Sequence, residues 1–224
     1  MSPSSPLLLQ DRAAAGRRLV EPLRQYAHRP DVIVLALPRG GVPVAYEVAM
    51  ALEVRLDLML VRKLGAPSNE EFALGAIASG GIQILNDYAL RAHPIDQATF
   101  DAVVARENRE LLRREQAYRG TREPVPLKDQ VVILIDDGLA TGASMMAAIQ
   151  AVRLQGPSRI VVAVPVAPIK TVEALRREVD ELICPVVPDW FMSLGHWYMD
   201  FSQTSDAEVI KLLQRAWQRE AGNE

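Results

Sequence analysis

The run Val131–Ile135 (Val-Val-Ile-Leu-Ile) stops abruptly at two adjacent carboxylates, Asp136 and Asp137, before a turn of small residues and a helix-like stretch from Met145 to Leu154. A short, unbroken β-branched and aliphatic run has no polar face, so it suits a strand covered on both sides in a parallel sheet. Further strands are expected at 32–37, 56–61, 159–165 and 181–187, several of them separated by helical crossovers. That alternation predicts an α/β fold, a parallel sheet flanked by helices. Ligands in such sheets bind beyond the strand carboxyl ends, near a reversal of strand order.

The chemistry of the two most distinctive loops is legible from their residues. After Asp136 and Asp137 come Gly138, Leu139, Ala140, Thr141, Gly142, Ala143 and Ser144. Flexible backbone, exposed amides and two hydroxyls leading into a helix can wrap a phosphate and aim the helix dipole at it. Two carboxylates would repel a bare phosphate, so they suit sugar hydroxyls or a hydrated Mg²⁺ instead. An isolated Asp-Asp-Gly could equally be a plain strand-to-helix turn. The second loop, Pro38-Arg39-Gly40-Gly41, follows the apolar run Val32–Leu37 and precedes a helix expected at Pro43–Leu52. Paired glycines allow close approach of the backbone, and Arg39 adds a planar cation matched to phosphate oxygens. A third basic element, Arg62-Lys63, is expected at the end of the strand 56–61, either facing the same ligand or forming an ordinary strand-edge pair.

The stretch from Val131 to Ser144 resembles the 5-phosphoribosyl-1-pyrophosphate (PRPP) signature of type I phosphoribosyltransferases: apolar residues, two acids, three variable positions, then Thr-Gly-x-Thr/Ser. Pro38–Gly41 is similar to the pyrophosphate loop of that family. Across nearly the whole chain the sequence resembles a bacterial group in which Pro-Arg-Gly-Gly, Arg-Lys-Leu-Gly-Ala-Pro and Trp-Tyr-x-Asp-Phe co-occur. The resemblance implies a type I phosphoribosyltransferase-like sheet with a flexible hairpin and a small C-terminal hood. It implies that Asp136 and Asp137 take the ribose hydroxyls, while Leu139 to Ser144 hold the 5-phosphate. Arg39, Gly40, Gly41, Arg62 and Lys63 would bind pyrophosphate, and Asp136, Asp137, Arg39 and Lys63 would carry catalysis. The family often has a non-proline cis peptide in the pyrophosphate loop, here expected at Arg39–Gly40. The implied reaction is Mg²⁺-dependent transfer of phosphoribosyl from PRPP to a nitrogen acceptor, a nucleobase for preference, by a homodimer. The metal would be held mainly through PRPP and water, with no direct protein ligands. Transferases of 6-oxopurines usually carry an aspartate just before the Thr-Gly, and this chain has Ala140, which argues against that specificity. The competing reading is a PRPP sensor without turnover, able to bind nucleic acid.

Composition agrees with a single domain of 224 residues, 49% hydrophobic and 24% charged. A formal net charge of −3 argues against broad nucleic-acid binding. The lone cysteine, Cys184, sits in an apolar run and reads as a core thiol. Leu7–Leu9 is too short for a signal peptide or membrane span, so a cytoplasmic location is expected. Residues 1–10 look like a loose arm and Asp11–Tyr26 like one amphipathic helix. Residues 65–125 interrupt the α/β rhythm with a hairpin (Phe72–Ile77 and Ile82–Leu85) and a long helix, Asp96–Arg119. That helix has an apolar stripe of Phe100, Val103, Val104, Leu111 and Leu112 among mixed charges, which suits a solvated, ion-paired surface, a subunit interface or an arginine row facing RNA. Residues 188–204 hold Trp190, Phe191, Trp197 and Tyr198, candidates either to stack on a base as the hood or to close the core. No Cys or His spacing resembles a zinc site.

Overall fold

The computed structural model describes residues 8–66, 69–92 and 95–222; most of the expected N-terminal arm, Pro67 and His93 lie outside these. Elements follow in the order α1 (Arg12–Val20), β1 (Val32–Ala36), α2 (Gly41–Leu52), β2 (Arg55–Leu58), β3 (Val61–Ala66), β4 (Asn69–Ala78), β5 (Ile82–Leu85) and α3 (Asp87–Ala92). Then come α4 (Gln97–Arg119), β6 (Val131–Ile135), α5 (Ala143–Arg153), β7 (Arg159–Ala163), α6 (Ile169–Arg176), β8 (Glu181–Ile183) and α7 (Asp206–Gly222). Five strands form a parallel sheet in the order β2-β1-β6-β7-β8, and β3-β4-β5 form a small antiparallel sheet.

The unbroken apolar strands are explained by two cores. Val32, Val34 and Ala36 of β1, with Val131, Ile133 and Ile135 of β6, face the layer that includes α1, α2 and α7. Their neighbours Ile33, Leu35, Val132 and Leu134 face the layer built by α5 and α6. Because strand side chains alternate faces, both faces must be apolar. Helix α1 lies close on α2, since a Cβ on Gly16 would stand 2.5 Å from the Val44 carbonyl.

Several expected elements differ in extent. The helix expected over Asp11–Tyr26 stops at Val20 and resumes as a 3-10 turn at Arg24–Tyr26, because Pro22 has no amide proton to continue the helical ladder, while Glu21 before it keeps helical angles. The strand expected over 56–61 is two strands of different sheets. Met59 N–H makes the last bond to β1, at Ala36 O, and the next carbonyl, Leu60 O, accepts from Ser79 N–H in the second sheet. Arg62 and Lys63 therefore lie within β3, pointing to opposite faces, rather than at a strand's carboxyl end. Strand β8 ends at Ile183, short of 187, before Pro185. The hairpin is present with a longer first arm and a third strand, β3, beside it.

Helix α4 begins where its cap predicts, with Asp96 accepting from Thr99 N–H at 2.8 Å. Val103 and Leu111 are buried, but Leu112 is exposed. Its charges largely cancel among themselves: Glu110 takes both Arg113 and Arg114, and Glu107 takes Arg106. At its end, Arg119 donates to Asp57 Oδ1 at 2.9 Å and to Leu58 O at 2.7 Å, while Val125 N–H reaches Asp57 Oδ2 at 3.2 Å. This buried pair fixes α4 to the end of β2. The Cys184 thiol is half-buried, donates to Val186 O at 3.3 Å and is pushed by burial up to about 11.

Removing one partner of a buried ion pair leaves the other uncompensated. Arg119→Met is expected to cost about 3–5 kcal/mol of unfolding free energy, measured by urea denaturation. A loss below about 1 kcal/mol, the range of an exposed pair, would contradict this account of how α4 is anchored.

Candidate functional site

Strands β1 and β6 are parallel neighbours in register, Ala36 opposite Ile135, and Leu37 N–H extends the ladder to Ile135 O at 2.9 Å. The loops that follow them must therefore leave the sheet side by side. Their glycines are a consequence of that contact. A Cβ at Gly41 would lie 2.8 Å from Ile135 O, and one at Gly40 would lie 2.1 Å from Asp137 Oδ2. A non-proline cis peptide is present in this loop, but between Pro38 and Arg39, one bond earlier than expected.

The loop after β6 is held open from beneath. Gly138 has φ +145, and a side chain there would strike Leu194 and the Val166 carbonyl. Leu139 is buried and its amide donates to Val166 O at 3.0 Å, and the Ala143 amide makes a longer bond to Thr141 Oγ1 at 3.4 Å, so two of the amides expected to cradle a phosphate have partners within the protein. Thr171 Oγ1 donates to Ala140 O at 2.7 Å. Gly142, at φ +75, is the N-cap of α5 and supplies no side-chain cap. The first amides of α5 thus lack helical partners, and Ala140, Thr141, Ala143 and Ser144 are exposed around them. A helix N-terminus without a side chain at its N-cap, flanked by two hydroxyls, offers donors and a dipole suited to an anion.

The two carboxylates differ sharply. Asp137 is 8% exposed, and its Oδ2 accepts from Arg12 Nε at 2.8 Å. Its backbone carbonyl accepts from the Tyr198 hydroxyl at 2.5 Å. Asp136 is half-buried and accepts the Asp137 amide at 2.8 Å. Burial, and then the adjacent Asp137 charge, push the Asp136 carboxyl well above the usual range, opposed in part by Arg12. Arg12, Thr171 and the Tyr198 contact were not singled out from sequence. Arg12 looks like any surface residue of an amphipathic helix, and Tyr198 was expected to stack on a base or close the core, not to donate to the Asp137 carbonyl.

The cations are distributed around this centre. Arg39 Nη1 stands 3.7 Å from Asp206 Oδ1 at the start of α7, and Asp206 also accepts the Tyr118 hydroxyl at 2.7 Å. Arg62 turns to α4 and pairs with Glu107 at 2.6 Å. Lys63, on the other face of β3, lines an open and mostly apolar cleft of about 420 Å³ with Ser144, Met146 and Gln150 of α5. Of the expected base-stacking residues, Trp190 is 82% exposed and Phe191 half-buried, but Trp197 packs against the core and Tyr198 is buried. Tyr198 supports the loop and Trp197 the core beside it.

The model of the phosphoribosyl transferase domain matches residues 8–201, a span that includes both loops, Arg12 and the C-terminal aromatic segment. The chain belongs to the phosphoribosyl transferase domain family. A Mycobacterium tuberculosis protein named as a "putative phosphoribosyl transferase" is 44% identical to this phosphoribosyl transferase domain over 209 residues, covering 93% of this chain and 47% of the relative. The chain thus spans about half the length of that relative. The crystal structure of the TT1426 protein from Thermus thermophilus superimposes with a TM-score of 0.82 at 44% identity, covering 93% of this chain and 98% of that one. No helix among the described residues of this domain is long and apolar enough to cross a membrane.

The close approach of the two loops has a direct test. Gly40→Ala places a methyl against Asp137 and is expected to cost about 1–3 kcal/mol, as overpacking does. Gly222→Ala, whose added methyl meets nothing within 4 Å, is the control. Equal melting temperatures for the two variants would refute the contact.

Proposed function

We infer that this chain is a phosphoribosyltransferase that moves the 5-phosphoribosyl group from PRPP to a nitrogen acceptor and releases pyrophosphate. The observation that carries this reading is the convergence, at the carboxyl ends of two adjacent interior strands, of a helix N-terminus with glycine at its N-cap, a carboxylate pair and an arginine-glycine loop packed against that pair. One ligand with a phosphate at one end, a diol in the middle and a diphosphate at the other would meet all three.

In this reading, the amides opening α5 and the hydroxyls of Thr141 and Ser144 bind the 5-phosphate. Asp136 and Asp137 accept hydrogen bonds from the ribose 2- and 3-hydroxyls. Arg39 and Lys63 face the diphosphate, Lys63 from the cleft it shares with Ser144, while Arg62 pairs with Glu107 on the α4 side. The bond from C1 to the pyrophosphate oxygen breaks as the bond to the acceptor nitrogen forms, so no covalent nucleophile is needed. Positioning and charge stabilisation supply the rate. The oxygen donors present suit Mg²⁺, which when bound would neutralise part of the leaving group's charge. Trp190 and Phe191 are the residues suited to stack on a nucleobase acceptor. Ala140 offers no carboxylate to a 6-oxopurine.

Calorimetric titration with Mg-PRPP, followed by pyrophosphate release assays across nucleobases and amines, tests this. Thr141→Ala and Ser144→Ala are each expected to weaken Mg-PRPP about tenfold, the worth of one hydrogen bond to a charged group. No binding by the wild-type chain would sink the assignment, and binding without release on any acceptor would favour a sensor.

The pH dependence has a definite sign. The Asp136 carboxyl is raised, so its acceptor form is gained as pH rises through that raised value, and affinity should climb with it. Asp136→Asn should remove that part of the slope while keeping the part contributed by PRPP's own phosphates. An unchanged slope would refute the role of Asp136.

A further inference from the structure

We propose that Arg12 is a positioning residue: from α1 it holds the Asp137 carboxylate against Gly40 and so keeps the ribose loop and the pyrophosphate loop in one geometry. This role rests on the phosphoribosyl reading of the site.

Three parts of the chain converge on this guanidinium. Arg12 Nε donates to Asp137 Oδ2 at 2.8 Å, and Nη1 donates to Ser202 O at 2.6 Å. Its Cζ lies 4.1 Å from the centre of the Phe201 ring, which in turn lies 5.0 Å from the Tyr198 ring. Nε is also 3.2 Å from where a Cβ on Gly40 would be. The side chains of Arg12 and Asp137 are 12% and 11% exposed, so the pair is shielded from screening.

The helix that presents Arg12 is itself fixed. Gly16 lets α1 settle on α2, the helix that starts at Gly41 directly after the pyrophosphate loop. Just before α1, Leu9 N–H donates to Trp197 O and Leu9 O accepts from Met199 N–H, both at 2.8 Å. Arg12 is thereby tied to the helix of one loop and to the C-terminal segment whose Tyr198 holds the other. A guanidinium can make an in-plane bond on two sides and stack on a ring at once, which an ammonium cannot. Neutralising Asp137 also relieves repulsion between the adjacent carboxylates, leaving Asp136 as the more exposed acceptor.

The test is Mg-PRPP calorimetry and thermal melting on the full chain as wild type, Arg12→Met, Arg12→Lys, Asp137→Asn, Arg12→Met with Asp137→Asn, and Tyr198→Phe. Arg12→Met should weaken Mg-PRPP by about tenfold or more, with partial rescue in Arg12→Lys. In the Asp137→Asn background Arg12→Met should add less than about twofold, because the two residues act as one unit. Tyr198→Phe, which removes only the hydroxyl on Asp137 O, should weaken binding about threefold and serves if Arg12→Met does not fold. Lower melting temperatures with unchanged affinity, or independent losses that add in the double variant, would overturn the proposal. A wild-type chain that binds no Mg-PRPP removes the functional reading itself, and this role with it.

Discussion

The in-register pairing of β1 with β6 is the constraint on which the rest of the site depends. The chain runs outward from β1 to β2 in one direction and from β6 through β7 to β8 in the other. The loops leaving β1 and β6 touch each other and then feed helices on opposite faces of the sheet, α2 and α5, the kind of switch point where such sheets bind ligands. Because Ala36 and Ile135 are level, neither loop can be displaced along the strand direction without breaking the ladder. Gly40 and Gly41 follow from this, since there is no room for side chains between Asp137, Asp136 and the Ile135 carbonyl.

A pair of carboxylates at the mouth of an anion site is electrostatically unfavourable unless something offsets it. Here the offset is divided. Arg12 neutralises Asp137 from α1, the open amides of α5 favour negative charge in the ligand, and burial beside Asp137 holds the Asp136 carboxyl above the usual carboxylate range. Elsewhere charge is balanced locally: Arg106, Arg113, Arg114 and Arg119 of α4 turn to Glu107, Glu110, Glu115 and Asp57. An RNA-facing row on that helix has little uncompensated charge to offer.

Much of the fold and half of the site could be read in the residues. Two-faced apolar strands, acid pairs or glycines at their ends, and the cap at Asp96 each carry a local signature, because their cause lies within a few positions. The break after Val20 was equally local, at Pro22, and was missed by following periodicity alone. The division of β2 from β3 was not local, because it depends on Ser79 taking the Leu60 carbonyl from nineteen positions away. With that division came the orientation of Arg62 and Lys63, which spacing alone could not assign.

The chemistry of each loop lies in its own residues: amides, hydroxyls and carboxylates after one strand, arginine and glycines after another, and no carboxylate at Ala140. How these groups are held is settled by contacts between distant parts of the chain. Arg12 and Asp137 are 125 positions apart, and nothing in either local pattern distinguishes a buried partner from a solvated charge. Likewise, the aromatic segment read equally well as a surface or a support until Tyr198 was seen beneath Asp137 and Trp190 in solvent. Local sequence encodes which groups are available, whereas partner choice between distant charges and rings is a property of packing.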